Sequence, residues 1–246
     1  KKVLEKIREQ VVNAFGGKFY EIIVGGAAFN QEVEQFLQRI EFPYTVGYGA
    51  TECAPIICYA DCHDFVAGSC GKPVVHMEVK IDSPDPQNVP GEILARGLNV
   101  MLGYFKNEEA TAQTIDADGW YHTGDLGLMD ADGNVFIKGR SKNMLLGASG
   151  QNIYPEEIED KLNSLNMVNE CIVVQRGEKL VGLVYPDFDE AATMQLNDSD
   201  LENIMEENRQ ELNASQPPYC RLAAIEIVKE EFEKTPKKSI KRYLYK

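Results

Sequence analysis

Two short apolar runs, joined by one helical segment and each followed closely by glycine, are the feature that most constrains the fold. Residues 19–24 and 44–48 are rich in β-branched and aromatic side chains, as buried strands are. Residues 31–40, between them, place apolar side chains at helical spacing. Because a strand–helix–strand order joins parallel strands, the sequence predicts a parallel α/β unit with its ligand site at the carboxyl ends of the strands.

The rest of the chain differs in pattern from this unit. An amphipathic helix is predicted before the first strand, at 3–15. Residues 68–139 are β-rich, with one short predicted helix at 107–115 and predicted strands at 76–81, 91–96 and 134–138. From residue 142 the prediction is an α+β domain, with helices at 155–163 and 198–212 and strands at 170–175, 180–185 and 223–228.

The charge balance narrows the possible partners. The chain has 25 Lys and Arg residues against 39 Asp and Glu residues, which gives a formal net charge of −14. A surface of this sign repels a phosphate backbone, so we expect no nucleic-acid binding. No apolar run approaches the roughly 20 residues that span a membrane, which leaves at most peripheral membrane contact. Because the first residues also lack a signal-peptide core, we predict a cytoplasmic protein.

The six cysteines include one group that resembles a metal ligand set. Cys58, Cys62 and His63 are close in sequence, and thiol and imidazole groups bind zinc. However, no second ligand pair with zinc spacing follows, and no CxxC pair occurs. We therefore interpret the cysteines as reduced thiols.

The segment YGATE, residues 48–52, has the composition of a nucleotide-binding loop. Tyr48 offers a flat face for a base, and Gly49 allows the backbone to approach a ligand. Thr51 offers a hydroxyl and an N–H to a phosphate oxygen, and Glu52 is a hard oxygen ligand of the kind that Mg²⁺ prefers. A strand-to-loop turn with a capping Thr-Glu pair is an equally good interpretation of the same residues.

The glycine-rich segment one strand earlier has a similar composition. Gly25, Gly26 and Ala27 follow the first predicted strand, where a close backbone approach suits a flat ring or an acyl group. A tight turn into the following helix explains these residues equally well.

Two segments in the β-rich region add polar groups. Asp125 stands in YHTGDLG, where a carboxylate can accept two hydrogen bonds from the vicinal hydroxyls of a ribose, although an Asp-Gly hairpin turn is the simpler explanation. Arg140, in GRSKN, offers a forked cation to ribose or phosphate oxygens, or is a solvated surface arginine. Lys142 stands where the composition changes and is either a linker residue or a hinge.

A third glycine-containing loop precedes the predicted helix at 155–163. Gly147, Ser149 and Gly150 could line a path for a narrow, extended thiol substrate. A turn at the entry to the helix is the alternative, and both interpretations stay open.

The order of these segments resembles a known family. GGA, YGATE, YHTGDLG, GRSKN, GQNIYPEEIE and KTPKKSIKR occur in sequence, as in the adenylate-forming superfamily of acyl- and aryl-CoA synthetases, peptide-synthetase adenylation domains and firefly luciferase. The tail, KTP followed by IKRYLY, is most similar to bacterial long-chain fatty-acid–CoA ligases. The resemblance covers essentially the whole chain.

This resemblance implies a domain organisation. Residues 1–66 would be the last part of the α/β subdomain of a large N-terminal domain, and residues 67–140 its β-rich subdomain. Residues 141–246 would form the small mobile α+β domain that rotates about a hinge at Lys142. A piece that begins inside the large domain is expected to expose sheet edge and apolar surface.

The resemblance also implies a reaction. ATP and a fatty acid give an acyl-adenylate and pyrophosphate, and the thiol of coenzyme A then displaces AMP. Carried over by position, Thr51 contacts phosphate, Glu52 binds Mg²⁺, and Asp125 holds the ribose with help from Arg140. The remaining positions, which border the adenine and acyl pocket or the pantetheine tunnel, are Gly25, Gly26, Ala27, Tyr48, Gly49 and, in the tunnel, Gly150.

Two departures from the family pattern stand out. The phosphate loop of the type TSGTTGxPKG is absent, which predicts that this chain is the C-terminal portion of a longer enzyme and is inactive alone. In addition, Ser239 aligns with the family's tail lysine, whose charge assists adenylation. Lys238 is our assignment for that role, with Lys237 and Lys241 as alternatives and a solvated basic tail as the non-catalytic explanation.

Two further alternatives follow from the same sequence. The acyl acceptor is coenzyme A or, in a related type of ligase, an acyl carrier protein. The chain on its own is otherwise a catalytically silent binding module, which the absent phosphate loop favours. Oligomer formation is compatible with either.

Overall fold

The computed structural model describes residues 1–236 and 238–245. The chain forms two compact units, unit 1 at Lys1–Lys142 and unit 2 at Asn143–Lys246. The predicted domain boundary at 140/141 lies two residues before this division. Each unit contains both helices and sheets, and the mixed α/β and α+β class predicted from the sequence is confirmed.

Unit 1 begins with the predicted parallel pair. Helix α1 (Lys2–Ala14) precedes β1 (Ile22–Val24), and helix α2 (Gln31–Arg39) connects β1 to β2 (Tyr44–Val46). The two strands are parallel, with Ile22 opposite Tyr44. The side chain of Asn30 caps α2 by accepting a 3.0 Å hydrogen bond from the Val33 N–H, which satisfies a donor that has no partner within the helix.

The helices α1 and α2 cover this pair only partly. A hydrophobic cluster lies between the helices and the strands, and Ile40, Phe42 and Tyr44 are its buried residues. Every residue of α1 is described, and none is buried. Large apolar side chains of this region remain exposed, among them Val3, Phe15, Ile23, Val33 and Phe36.

The β-rich part of unit 1 contains two antiparallel sheets and one helix. The first sheet consists of β3 (Tyr48–Gly49), β4 (Ile56–Tyr59) and β5 (Lys72–Pro73). The second has the order β6 (Met77–Asp82), β7 (Gly91–Gly97), β8 (Tyr121–Met129) and β9 (Val135–Arg140), with helix α3 (Glu108–Thr114) between β7 and β8. One core joins the two sheets and includes Ile57, Cys58, Ile93 and Val135, so packing crosses the predicted 66/67 division.

Three elements differ from the prediction. The segment YHTGDLG lies inside the nine-residue strand β8 and not in a hairpin turn, because Asp125 pairs with Arg140 of β9. Strand β4 was not predicted. The predicted strand 44–48 is divided between two sheets, since the chain leaves β2 at Val46 and pairs with β4 from Tyr48 onwards.

Unit 2 is an α+β domain. A short hairpin, β10 (Leu145–Leu146) with β11 (Asn152–Ile153), leads into helix α4 (Pro155–Leu162). The main sheet has β13 (Lys179–Pro186) at its centre, antiparallel to β12 (Val168–Arg176) and parallel to β14 (Leu222–Ile227). The helices α5 (Phe188–Thr193), which was not predicted, and α6 (Asp198–Ser215) follow β13.

Both faces of this sheet are covered. Helices α4 and α6 pack on one face over a continuous core that includes Ile158, Leu162, Val184, Met205 and Leu222. The opposite face is covered by the tail, through the buried Phe232. The described residues include no helix long and apolar enough to cross a membrane.

Candidate functional site

A cluster of three side chains in unit 1 brings together residues far apart in sequence. The hydroxyl of Tyr48, on β3, donates a 2.6 Å hydrogen bond to Oδ2 of Asp125, on β8. Nη1 of Arg140, on β9, donates to Oδ1 of Asp125 at 2.7 Å. Strand pairing sets this geometry, since Asp125 and Arg140 are register partners. Three residues that the sequence selected separately therefore form one cluster.

The backbone around Asp125 also fixes its position. Gly124 has φ +70, a conformation that L side chains rarely adopt, and its N–H donates to the carboxylate of Glu92 at 2.9 Å. The Asp125 N–H donates to Oγ1 of Thr123 at 3.0 Å. The glycine in this motif is therefore explained by the local backbone conformation.

The net effect of burial and charge is to raise the pKa values of both Tyr48 and Arg140. Burial, followed by the charge of Asp125, raises the pKa of Tyr48 well above its ordinary value, so the phenol stays a hydrogen-bond donor. For Arg140, burial lowers the pKa, but the hydrogen bond and charge of Asp125 outweigh it and the net shift is upward. The guanidinium is therefore a permanent cation beside the carboxylate.

The carboxylate of Asp125 can accept further hydrogen bonds. An ionised carboxylate has about four acceptor positions, of which Tyr48 and Arg140 occupy one each. Its side chain is 15% exposed, which leaves a route for a ligand hydroxyl. Chemically, the cluster can hold a pair of neutral hydroxyl groups next to a cation.

Thr51 and Glu52 lie on a 3₁₀ turn, Thr51–Cys53, which directly follows β3. Oε1 of Glu52 accepts a 2.9 Å hydrogen bond from the hydroxyl of Tyr104, and the Glu52 carbonyl accepts the Met101 N–H at 2.7 Å. Thr51 is exposed and Glu52 is half-buried. Tyr104, which the sequence did not indicate, therefore orients the candidate metal ligand.

The glycines near these strands occupy their positions for different physical reasons. A Cβ at Gly49 would lie 2.1 Å from the carbonyl oxygen of Pro55, so the β3–β4 pairing itself requires glycine there. Gly26 has φ +90. Gly25, Gly26 and Ala27 form an exposed segment after β1. This last segment has open surface of the kind that a ligand requires.

The loop before α4 is a β-hairpin turn and not a helix-entry turn. Gly147 donates its N–H to the Gln151 carbonyl at 2.8 Å, and Gly150, with φ +82, donates to the Gly147 carbonyl at 2.9 Å. A three-residue loop that ends in a left-handed glycine is a common hairpin connection. Gly150 is exposed at its tip.

This hairpin forms one wall of an open groove of about 930 Å³ within unit 2. The opposite walls come from β13, α6 and the segment before β14. Lys179, Arg209 and Arg221 line it, together with Glu178. Arg209 is paired with Glu206 at 2.6 Å, which leaves Lys179 and Arg221 to supply positive charge to the groove. Sequence reasoning did not select these three cations, because they lie on three separate elements.

The basic tail folds back on itself. Lys238, with φ +63, donates its backbone N–H to the Thr235 carbonyl at 2.8 Å, and its side chain is exposed. Lys241 forms a 3.0 Å ion pair with Glu233. Lys237, the third candidate, lies outside the described residues. Lys142 is exposed in a 3₁₀ turn, Ser141–Asn143.

Two family models match the chain. Residues 3–105 match the AMP-binding enzyme model, and residues 142–245 match the AMP-binding enzyme C-terminal domain. The chain belongs to the AMP-binding enzyme family. Asp125 and Arg140 fall between the two matched ranges.

Named relatives agree with this membership. A 2-succinylbenzoate–CoA ligase from Bacillus cytotoxicus is 36% identical over 193 residues, which cover 74% of this chain and 40% of that protein. A 4-coumarate–CoA ligase from Vanilla planifolia is 36% identical over 196 residues, with 74% of this chain and 35% of that protein covered. The chain thus spans less than half the length of these curated relatives.

Solved structures of the family have the same fold. An anthranilate CoA ligase, AuaEII, in complex with anthranoyl-AMP superposes with a TM-score of 0.74 at 25% identity, over 92% of this chain and 44% of that one. O-succinylbenzoate coenzyme A synthetase from Bacillus subtilis, in complex with AMP, gives 0.74 at 22% identity, over 97% and 49%. These matches place both units of this AMP-binding enzyme chain in the family fold.

The residues present fit the magnesium ion that the family implies. Glu52 offers a hard carboxylate oxygen at a half-exposed position, and the Tyr104 hydroxyl orients it. Mg²⁺ is commonly bound by one or two carboxylates, with water and substrate phosphates completing its coordination. One oriented carboxylate next to the exposed Thr51 is consistent with such a site.

The cysteines are distributed differently from the sequence grouping. All six are free, and Cys58 is buried on β4, so it is not part of a set with Cys62 and His63. Instead, Asp61 joins Cys62 and His63, with one potential ligand atom from each within 4.8 Å of the others.

Proposed function

We propose that this chain is the C-terminal portion of an acid–thiol ligase that forms an acyl-adenylate and transfers the acyl group to a thiol. The Tyr48–Asp125–Arg140 cluster is the observation that supports the proposal most directly. A carboxylate with free acceptor positions, held beside a permanent cation, suits the hydroxyls of the nucleotide's ribose. In the first step, a substrate carboxylate oxygen bonds to the α-phosphorus of ATP and pyrophosphate leaves.

The candidate site residues of unit 1 have the following roles in this proposal. Asp125 accepts hydrogen bonds from the ribose hydroxyls, and Arg140 and Tyr48 hold its carboxylate in place. Thr51 binds a phosphate oxygen. Bound Mg²⁺, held by Glu52, would neutralise charge on the phosphates. Gly25, Gly26 and Ala27 border the adenine and acyl groups, and the phenol of Tyr48 anchors that side of the pocket.

The tail and the groove of unit 2 serve the two halves of the reaction. Lys238, exposed next to Ser239, supplies positive charge to the adenylation transition state. In the second step, the thiol sulfur bonds to the acyl carbon and AMP leaves. Coenzyme A is the proposed acceptor, since Lys179 and Arg221 in the groove suit its phosphates, and Gly150 lies on the adjoining hairpin. Lys142 is the proposed hinge between the two steps.

The identity of the acid substrate is the most specific part of the proposal. We propose a fatty acid, because the tail sequence KTP followed by IKRYLY is most similar to long-chain fatty-acid ligases. Aryl acids are the second candidate, because relatives at 36% identity are named for 2-succinylbenzoate and 4-coumarate. The compartment is proposed to be the cytoplasm, which agrees with six free cysteines.

The nucleotide site is tested by calorimetry of this chain with AMP. We expect weak binding by the wild type and at least a tenfold loss in Asp125→Asn, because hydrogen bonds to a charged group are worth about 1.5–3 kcal/mol. Asp132→Asn, the same change at an exposed turn of unit 1, serves as the matched control. Equal affinities for the two variants would count against Asp125.

The reaction is tested in the full-length protein by pyrophosphate release with matched fatty and aryl acids. Product with a fatty acid and coenzyme A supports the complete proposal. Product only with aryl acids would mean that the substrate is an aryl acid and not a fatty acid. Replacement of coenzyme A by a phosphopantetheinyl carrier protein tests the other acceptor. No product with either acid class would contradict the proposed reaction. The alternative that this chain alone is a silent binding module, which the absent phosphate loop supports, is tested by the calorimetry of the chain itself.

A further inference from the structure

Three consecutive side chains of different chemistry converge just after β4. Nδ1 of His63 lies 2.7 Å from Oδ1 of Asp61 and 3.4 Å from Sγ of Cys62. One ligand atom from each of the three residues lies within 4.8 Å of the others. Asp61 and Cys62 are half-buried, and the side chain of His63 is 71% exposed. The group is therefore both assembled and open to solvent.

The distances suit a tetrahedral ion with one sulfur and one nitrogen ligand. With Zn–S of about 2.3 Å and Zn–N of about 2.0 Å, the two ligand atoms of a tetrahedral site lie about 3.5 Å apart. The measured Sγ–Nδ1 separation of 3.4 Å already matches this value. The Asp61–His63 contact is at hydrogen-bond distance, and Oδ1 of Asp61 also accepts the His63 N–H at 3.0 Å. An ion would therefore take the place of the side-chain contact between Asp61 and His63.

Neighbouring residues hold this group in position. The hydroxyl of Tyr20 donates to Oδ2 of Asp61 at 2.8 Å and lies 3.2 Å from Nδ1 of His63, while Oδ1 of Asp61 faces His63. Oε2 of Glu21 accepts the Cys62 N–H at 2.9 Å, and its other oxygen accepts the hydroxyl of Tyr59. Partners of this kind, outside the ligand set, orient the ligands of metal sites in proteins.

This group lies away from the proposed magnesium ligand. Strand β4 begins next to the turn that carries Glu52 and runs from Ile56 to Tyr59, and Asp61 follows its far end. Four strand residues extend about 13 Å. An ion at Asp61–Cys62–His63 would therefore not be the ion at Glu52.

We propose that Asp61, Cys62 and His63 form a second metal site, which binds a zinc-like transition-metal ion. A mixed thiolate, imidazole and carboxylate set is typical of Zn²⁺ and its neighbours, whereas Mg²⁺ selects oxygen ligands. The three side chains leave one coordination position for water. Through Tyr20 and Glu21, the ion would fix the loop after β4 to the segment that precedes β1.

The test uses Co²⁺ and Zn²⁺ with the 246-residue chain under reducing conditions. Co²⁺ should bind one equivalent and give a thiolate-to-cobalt charge-transfer band in the near ultraviolet, which Zn²⁺ removes. Cys62→Ser should abolish the band and weaken Zn²⁺ binding at least tenfold. His63→Ala should also weaken Zn²⁺ binding at least tenfold. Cys220→Ser changes the other half-buried cysteine, in unit 2, and should leave the band and the Zn²⁺ affinity unchanged.

The outcomes separate the proposal from nonspecific binding. A wild-type chain with no band would overturn it, and so would a band that survives Cys62→Ser or disappears in Cys220→Ser. Tyr20→Phe adds a positioning test, with an expected loss of several-fold in Zn²⁺ affinity while the band persists. Far-UV circular dichroism of each variant confirms that a loss reflects the ligand and not unfolding.

Discussion

Unit 2 and the first part of unit 1 use similar elements but bury them to different extents. In unit 2, α4 and α6 pack on one sheet face, and residues such as Leu162, at 0% exposure, are fully enclosed. In unit 1, α1 lies beside a two-stranded parallel sheet and buries no residue. Helix propensity and amphipathic spacing are present in both regions.

The difference shows that an amphipathic pattern specifies a helix but not how much surface will cover it. Burial of apolar surface is the main stabilising contribution to folding, so the two regions should differ in local stability although their helices are equally regular. Unit 2 should be the more protected region, and α1 the less protected one.

The largest expected effect is at a buried ion pair of unit 2, whereas the ion pair of α1, between Arg8 and Glu41, has a Glu41 side chain that is 74% exposed. Arg242, in the tail, pairs with Glu159 of α4, whose other oxygen accepts the Val173 N–H at 2.6 Å. Glu159 is only 6% exposed. Arg242→Ala leaves this carboxylate buried without its cation and should lower the free energy of unfolding by about 3–5 kcal/mol, measured by urea denaturation.

An exposed ion pair in the same unit serves as its control. Arg176 pairs with Glu226 at 2.6 Å, but their side chains are 50% and 45% exposed. Arg176→Ala should change the free energy of unfolding by about 1 kcal/mol or less. Equal losses in the two variants would mean that burial does not distinguish these pairs.

The contrast between the two regions is tested directly by matched truncations of apolar side chains. Leu162→Ala should cost about 3 kcal/mol, because the residue is fully enclosed in the core of unit 2. Ile7→Ala, on α1, should cost about 1 kcal/mol because Ile7 is only half-buried. Hydrogen exchange of the backbone amides in each unit measures both changes, and similar losses would remove the contrast.

A substitution at Tyr48 tests whether the β-rich part of unit 1 resembles α1 or unit 2 in its local stability. Tyr48 is 7% exposed, and Tyr48→Phe removes its hydrogen bond to Asp125. We expect a loss of about 2 kcal/mol, read from the fluorescence of Trp120, the only tryptophan. Tyr20→Phe removes a similar bond to Asp61 at an exposed position and should have a much smaller effect.

The smallest expected effect is on the surface of α6. Hydrogen bonds from Arg209 and then Gln210 lower the pKa of Glu206 from 4.5 to about 2. Because the pKa is lower in the folded state, the stabilisation is present above pH 4.5 and is lost as the pH falls through about 2.

Carboxyl NMR titration should therefore give a midpoint near 2 for Glu206 in the wild type. In Arg209→Gln the midpoint should move up towards 4.5, because the largest cause of the shift is removed. An unchanged midpoint would contradict the assignment of Arg209 as that cause. The exposure of Glu206 makes its contribution to stability minor beside that of the core.

Local patterns were sufficient to predict most helices and strands, including the parallel unit and helix α4 at Pro155, but not the hairpin of β10 and β11 before it. They failed at β8, where Gly124 and Gly127 interrupt the apolar pattern of a strand. A Cβ at Gly127 would lie 2.7 Å from the Phe136 carbonyl oxygen, so the paired strand requires this glycine. Such a requirement depends on a contact between strands and has no signature within the segment itself.

The candidate site shows the same limit. Sequence motifs selected Tyr48, Asp125 and Arg140 one at a time, but periodicity contains no information on a hydrogen bond across 77 positions. Tyr104 and the groove cations were missed because each stands alone in its own segment. Asp61 was missed for a different reason, since the sequence grouping favoured Cys58, whose side chain faces the core.

The close approach at Gly49 has a consequence for large-scale mutagenesis. Any side chain there meets the Pro55 backbone and must separate β3 from β4, the hairpin that positions Thr51 and Glu52. A saturation library scored for activity would therefore rank Gly49 among the least tolerant positions, like a residue that touches substrate. Parallel scoring for abundance would identify it as a folding position, whereas the exposed Thr51 should lose activity at normal abundance.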